Sequence, residues 1–199
     1  INHVRYTLVH AHVIVDDDGY ETWLARSKSI RKTSESKMAF DTFFDLMHEK
    51  GESQLEFCER CGWLEDIQRM MLVDYLIANR DRHGANIEVL RSRDGGIRLA
   101  PLFDNGVSLV FSCYGDEQCV QEFDPLQDVR ANNFIGTRSL EENLQFVPNS
   151  LEIASLEEEH RANLFAGLEG VLPQTYFDAM WNMIWSRWNH WRSMSSKAE

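Results

Sequence analysis

The most apolar stretch of the chain has a helical pattern. Trp63 to Asn79 reads as one helix, and its second half, Met70-Met71-Leu72-Val73-Asp74-Tyr75-Leu76-Ile77-Ala78, is apolar nearly all round, as in a helix that forms the buried axis of its domain. Asp74 inside it needs a partner, because an unpaired buried carboxylate is costly. Arg82 or His83 in the following loop can supply one. Beyond the polar loop Asn79-Arg80-Asp81-Arg82-His83-Gly84-Ala85-Asn86, the apolar runs Ile87 to Leu90 and Ile97 to Phe103 flank Asp94-Gly95-Gly96, the signal for a tight β-hairpin. A reversal near Gly95 sets residues whose numbers sum to 190 opposite each other, 90 with 100 and 86 with 104. Asn86 and Asp104 then face one another with Cα atoms about 5 Å apart.

Upstream, Val4 to Val15 is rich in β-branched and aromatic residues, Asp16-Asp17-Asp18-Gly19 is a turn, and Tyr20 to Ala25 can return as a partner strand. Two strands do not stand alone, so this element needs a neighbour. His10 and His12 share a strand face, but without a third ligand they read as solvated or packed histidines. Arg26 to Thr33 is a basic, Ser-rich connector that either meets phosphate or is simply solvated. A helix is expected from Ser34 or Ser36 to Lys50, stopped by Gly51, and a shorter one from Ser53 to Cys61, stopped by Gly62.

Downstream, Val107 to Ser112 reads as a strand, and from Cys113 to Pro148 the pattern loosens into a long irregular stretch, which in a compact domain is functional or mobile. Ser139-Leu140-Glu141-Glu142 and Ser155-Leu156-Glu157-Glu158 are capping boxes, the second opening a helix that stops near Gly170. From Pro173 the last helix carries Phe177, Trp181, Ile184, Trp185, Trp188 and Trp191 at helical spacing. This is a core stripe, the alternative being an exposed partner-binding face.

The chain has 199 residues, 43% of them hydrophobic and 11% aromatic, with 4 prolines, enough to bury a substantial core and to exclude disorder. A net charge of −12 argues against a broad nucleic-acid grip, and a nucleotide site must make its own positive field or recruit a metal. Cys58 and Cys61 have C-x-x-C spacing, but Cys113 and Cys119 give no matching zinc knuckle, so all four read as isolated thiols of a reducing, cytoplasmic compartment. Neither a bilayer-spanning run nor a signal peptide is seen, so no membrane partner is expected. Beginning at Ile1 directly in strand-like sequence, the chain reads as a piece of a longer protein.

Candidate chemistry centres on the ends of the hairpin. An amide oxygen from Asn86 and a carboxylate from Asp104 can share one hard cation such as Mg²⁺, which accepts oxygen ligands and completes its shell with water and substrate phosphates. Asp81, five residues before Asn86, can address whatever that metal holds. Protein kinases use this spacing, with a hydroxyl-positioning Asp, a metal-binding Asn five residues later and a second metal-binding Asp after a short hairpin. Asp and Asn also favour loops for local backbone reasons, which is the competing structural explanation.

Asp74 to Asn86, followed by Leu99-Ala100-Pro101-Leu102-Phe103-Asp104-Asn105-Gly106, resembles the C-terminal kinase lobe of HipA-like serine/threonine kinases, with their Asn-x-Asp-x-His-x-x-Asn loop and Leu-Ala-Pro-x-x-Asp segment. The match is specific over about Val73 to Gly106. The resemblance implies an α+β, predominantly helical fold: a kinase-like C-lobe over residues 31–199 with a catalytic-loop hairpin, preceded at 1–30 by a short β element that is the remnant of an N-lobe and hinge. It implies ATP- and Mg²⁺-dependent phosphoryl transfer to a protein Ser or Thr hydroxyl, with Asp81 as catalytic aspartate, Asn86 and Asp104 as Mg²⁺ ligands, Asn79 and His83 shaping the loop, and a nucleotide hinge near Trp23 to Ile30. Expected partners are ATP, a protein substrate and an antitoxin-like or N-terminal partner protein. The loop also resembles phosphoinositide kinases, to which Asp104-Asn105-Gly106 is slightly closer, and a non-catalytic kinase-like regulatory module is a third reading. No Gly-rich loop precedes Val4 and no lysine precedes Lys28, so the usual nucleotide clamp is missing and residues 1–199 alone are expected to be inactive.

Overall fold

The computed structural model describes residues 6–13, 20–27 and 29–195. Strands β1 (Tyr6–Val13) and β2 (Tyr20–Ser27) pair antiparallel, Val13 opposite Tyr20, forming a two-stranded sheet as the β-branched pattern predicts. A second, wholly antiparallel sheet has the order β3 (Ser36–Ala39), β4 (Glu88–Arg91), β5 (Ile97–Leu99). Helices α1 (Phe40–Met47), α2 (Gln54–Arg60) and α3 (Leu64–Leu76) separate β3 from β4, and α4 (Glu117–Gln121), α5 (His160–Phe165) and α6 (Gln174–Ser195) follow β5. The architecture is α+β.

Local chemistry accounts for most of these boundaries. The Ser53 hydroxyl accepts from the Glu56 amide while the Glu56 carboxylate accepts from the Ser53 amide, a capping box that opens α2. Asp116 caps α4 by accepting from the Cys119 amide at 3.0 Å. Residues 36–39, expected inside the first helix, instead form β3, because they hydrogen-bond along β4, and the Phe40 amide continues that ladder to the Ile87 carbonyl at 2.8 Å before the helix begins. Short strands of this kind are decided by the partner and not by propensity.

The hairpin forms with a different register from the one expected. Leu90 lies opposite Arg98 and Arg91 opposite Ile97, two residues away from the predicted pairing. The Ser92 amide donates to the Gly96 carbonyl at 2.9 Å and the Gly95 amide to the Ser92 carbonyl at 3.1 Å, so the loop is residues 93–95 with Gly95 at φ +89°. This three-residue loop places its left-handed residue at the glycine. The ladder ends with the Ala100 amide on the Glu88 carbonyl, so Asn86 and Asp104 are not opposite one another in it.

Four further expectations change. Residues 107–112 are not a strand: Leu109 takes φ +60° and a 3-10 turn, Phe111–Cys113, follows. Ser139 does accept from the Glu142 amide, at 2.9 Å, but what it opens is a 3-10 helix, Glu142–Phe146. The helix expected from Ser155 is confined to α5, which begins at His160. Cys113 and Cys119 are joined by a disulfide, so the expectation of isolated thiols holds only for Cys58 and Cys61. The first turn of α4 folds Cys119 back over the 3-10 turn and brings the two Cα atoms to 5.3 Å, within disulfide reach.

The core runs along α3. Ile67, Met70, Met71, Leu72 and Tyr75 are buried against an aromatic cluster of Phe40, Phe44, Phe57 and Trp63 on one side and Met183, Trp188 and Trp191 of α6 on the other. Phe57 packs edge-on against Phe44, with centroids 5.2 Å apart, and the indole stripe of α6 is largely core as the spacing predicts. Arg187 on α6 is fully buried and donates from Nη1 to the Tyr75 carbonyl, from Nε to the Pro125 carbonyl and from Nη2 to the Gln127 carbonyl. Among the described residues no helix is long and apolar enough to cross a membrane.

Candidate active site

Helix α3 ends where the polar loop begins. Ile77 is its C-cap, and Ala78, at φ +51°, takes a left-handed conformation that a side chain adopts only at a cost, so that the chain turns back on the helix. The turn sends Asn79 back to Asp74: the Asn79 amide reaches the Asp74 carbonyl at 2.8 Å, and its side-chain nitrogen donates to Asp74 Oδ1 at 2.9 Å. Asn79 is fully buried and Asp74 nearly so.

Arg82 completes this network. Its Nε donates to Asp74 Oδ2 at 2.9 Å and Nη2 to Asp74 Oδ1 at 2.8 Å, a two-bond fork that neutralises the buried carboxylate. Nη1 donates to the carbonyls of Asn86 (3.0 Å) and Phe103 (2.8 Å), and Nη2 also to Asn105 Oδ1 at 2.6 Å. All five N–H groups of the guanidinium are engaged, which is its full donor capacity. One side chain thus ties the end of α3, the end of the polar loop and both neighbours of Asp104 into a single unit. The carbonyl oxygens of Asn86 and Phe103 share one nitrogen and so can be no farther apart than those two bonds together. The sequence suggested Arg82 only as a partner for Asp74; its other role, and that of Asn105, emerges from the fold.

The loop backbone is fixed on both flanks. Arg80 donates its amide to the Val107 carbonyl and Leu109 donates to the Ile77 carbonyl on one side; Asn132 donates to the Arg80 carbonyl and Phe134 to the Arg82 carbonyl on the other. Gly84 is required by packing: a Cβ there would lie 2.7 Å from Cγ of Asp41 in the first turn of α1.

Within this frame Asp81 is held by its backbone and free at its carboxylate. Its amide donates to Asn79 Oδ1 at 3.3 Å and its carbonyl accepts from Asn86 Nδ2 at 2.8 Å. The carboxylate, 37% exposed, has only a long contact with Asn132 Nδ2 (3.4 Å) and lies 3.8 Å from His83 Nε2. Because Nδ2 of Asn86 is committed to Asp81, the side-chain oxygen of Asn86 is the atom left for a ligand. Asp104 is exposed, sits at φ +52°, and makes no hydrogen bond or ion pair among the described residues. No group of three or more His, Cys, Asp and Glu side chains suited to a metal gathers among the described residues, so Asn86 and Asp104 offer one amide oxygen and one carboxylate. The donors are all oxygen, which suits Mg²⁺ with substrate phosphates and water completing its shell.

The structure therefore brings Asn79, Asp81, His83 and Asn86 into one loop and joins Asp104 to it through the residues on either side. Of the expected hinge at Trp23 to Ile30, residues up to Ser27 continue β2 and Lys28 lies outside the described residues. The side chains of His10 and His12 also lie outside them. The Cys58 thiol is packed in the core, where burial pushes it up to about 12.

No family model matches the chain, and no curated protein matches it. Among solved structures, the fold is similar to that of the Helicobacter pylori proinflammatory kinase CtkA, with a TM-score of 0.63 at 10% sequence identity, covering 100% of this chain and 76% of that chain. At this identity the likeness is one of fold: the chain is compatible with a kinase-like fold.

Proposed function

We propose that this chain carries the acceptor and metal half of a HipA-like kinase that transfers the γ-phosphoryl group of ATP to a protein Ser or Thr hydroxyl. The observation that carries the reading is the five-bond Arg82 clamp, which unites residues 79–86 with residues 103–105 while leaving the Asp81 carboxylate open. A loop built only for stability has no need to hold a half-exposed carboxylate, with only long contacts to Asn132 and His83, on so fixed a base.

In this reading Asp81 accepts a hydrogen bond from the acceptor hydroxyl and orients its oxygen toward the phosphorus. Asn86, through Oδ1, and the Asp104 carboxylate would hold Mg²⁺, which when bound neutralises charge on the phosphates. Asn79 and Asn86 fix the backbone of Asp81 from both sides, so the carboxylate needs no rearrangement to meet its substrate, and positioning supplies most of the rate. His83, beside the Asp81 carboxylate, shapes the loop.

The test uses the full-length protein and radiolabelled ATP. Asp81→Asn lowers kcat by roughly 10²- to 10⁴-fold, the usual worth of a general base, with the KM for ATP nearly unchanged. Asp104→Asn raises the Mg²⁺ concentration needed for half-maximal rate. Undiminished transfer in Asp81→Asn ends the assignment.

A further inference from the structure

The Asp81 loop is flanked by backbone that carries three arginines with no acidic partner among the described residues. The Arg80 carbonyl receives the Asn132 amide at 2.7 Å, the Ala131 amide reaches the Arg138 carbonyl at 2.8 Å, and Arg130 forms a β-bridge with Ser139. Arg80, Arg130 and Arg138 thus lie on adjoining backbone segments beside the Asp81 loop, and Asn132, two residues from Arg130, contacts the Asp81 carboxylate. Arg130 and Arg138 are exposed and Arg80 is half-exposed. Among the described residues none of the three has a carboxylate within ion-pair distance or a side-chain hydrogen bond, although the chain carries 32 Asp and Glu against 20 Lys and Arg. Elsewhere Lys37, Arg60, Arg69, Arg98 and Arg161 each have an acidic partner, while Arg31, Lys50, Arg91 and Arg93 have none among the described residues; what sets Arg80, Arg130 and Arg138 apart is their place beside the Asp81 loop. The neighbouring acid, Asp128, is engaged by the Ser139 hydroxyl and the Glu141 amide.

We infer that Arg80, Arg130 and Arg138 form the recognition surface for an acidic peptide segment that carries the acceptor hydroxyl, its carboxylates or phosphoserines flanking the residue presented to Asp81. This rests on the phosphoryl-transfer reading of the loop. Guanidinium groups suit both anions, since they meet carboxylate and phosphate with two parallel bonds. A peptide is favoured over an anionic membrane because a membrane would also confront other parts of a chain whose net charge is −12. A single peptide strand samples only charges within about a Debye length, ~8 Å at physiological salt.

Fluorescence anisotropy on the full-length protein tests this, using a labelled Ser-containing peptide with Glu at the flanking positions and matched peptides carrying Gln, Lys or phosphoserine there. The Glu peptide binds roughly tenfold more tightly than the Gln peptide and more weakly as salt is raised, and Arg130→Glu with Arg138→Glu removes that margin and favours the Lys peptide. The phosphoserine peptide shows which anion is preferred. Equal binding of the Glu and Gln peptides, or an unchanged margin in the double variant, overturns the inference. Preferential binding and phosphorylation of phosphoinositide-containing vesicles does so too, in favour of a lipid surface. Melting temperature confirms that the variants fold, and calorimetric titration with ATP–Mg²⁺ is a separate arm: failure of the wild type to bind it defeats the kinase reading, while the peptide arm still reports on the surface.

Discussion

The Arg82 guanidinium grips the Asp74 carboxylate through two parallel bonds, 2.9 and 2.8 Å long, where both side chains are almost wholly shielded from water. Removing one partner of such a pair leaves an uncompensated buried charge. Asp74→Ala is therefore expected to destabilise the protein by about 3–5 kcal/mol, which at about 2–4 °C per kcal/mol for a chain of this size lowers Tm by roughly 10 °C. Arg82→Lys keeps the charge but not the fork, and it releases the Asn86 and Phe103 carbonyls from their common donor. Its Tm falls less than that of Asp74→Ala, whereas under the proposed function the transferase rate of the full-length protein falls nearly as far as in Asp81→Asn; thermal melts of residues 1–199 and initial rates of the full-length variant check the two.

Gly84 is constrained by space. Its φ is not in the left-handed region, and the obstacle to a side chain is Asp41. Gly84→Ala is predicted to cost about 1–3 kcal/mol, the usual penalty of overpacking. Asp41→Gly in the same chain should recover most of that loss despite its own cost in helix propensity. A urea-melt double-mutant cycle reads the coupling, and additive effects would refute the contact.

Glu52 gives the protein an acid-sensitive tie. The Arg60 guanidinium bonds both its oxygens, at 2.7 and 2.8 Å, and together with the Glu49 amide lowers the Glu52 carboxyl from the usual 4.5 to about 2. A carboxyl depressed in the folded state contributes stability above its unfolded pKa and loses it as pH falls toward the folded one. The Tm difference between wild type and Glu52→Gln should be constant above about pH 5.5 and close between 4.5 and 2. A difference that stays flat through that window contradicts the pairing.

The cysteines can be counted. Unfolded without reductant, the protein should alkylate at two thiols, Cys58 and Cys61, and at four after reduction, read by mass. In the folded state Cys58 should react slowly, because burial raises its thiol to about 12 and removes the thiolate that attacks.

Much of this was legible in the residues. The apolar run of α3, the indole spacing of α6 and the Asp-Gly-Gly reversal each follow a local rule, and each element is found. The register was not legible, because Asp94-Gly95-Gly96 suits loops of different length; only the left-handed Gly95 selects one. The error of two residues kept every side chain on its expected face and changed only the partner, as a period of two requires. Strand β3 was hidden because four residues ahead of an amphipathic helix look like its first turn until β4 lies beside them. The reach of Arg82 to residues 103 and 105 was out of view for the same reason, since these partners meet only through tertiary packing; the disulfide, whose cysteines are six residues apart, was hidden because the 3-10 turn and short helix that close it lie in chain without a periodic pattern.

Arg187 sets an order on assembly. It caps the carbonyl of Tyr75 from 112 positions farther along the chain and, with the same guanidinium, holds the carbonyls of Pro125 and Gln127. The helix that launches the Asp81 loop therefore has its last turn completed by a residue that leaves the ribosome 112 positions later. Such distant contacts are reached late in folding. A nascent chain that has displayed the whole loop, from Asn79 to Asn86, still lacks the clasp at its base, so the candidate site matures only when synthesis has passed α6.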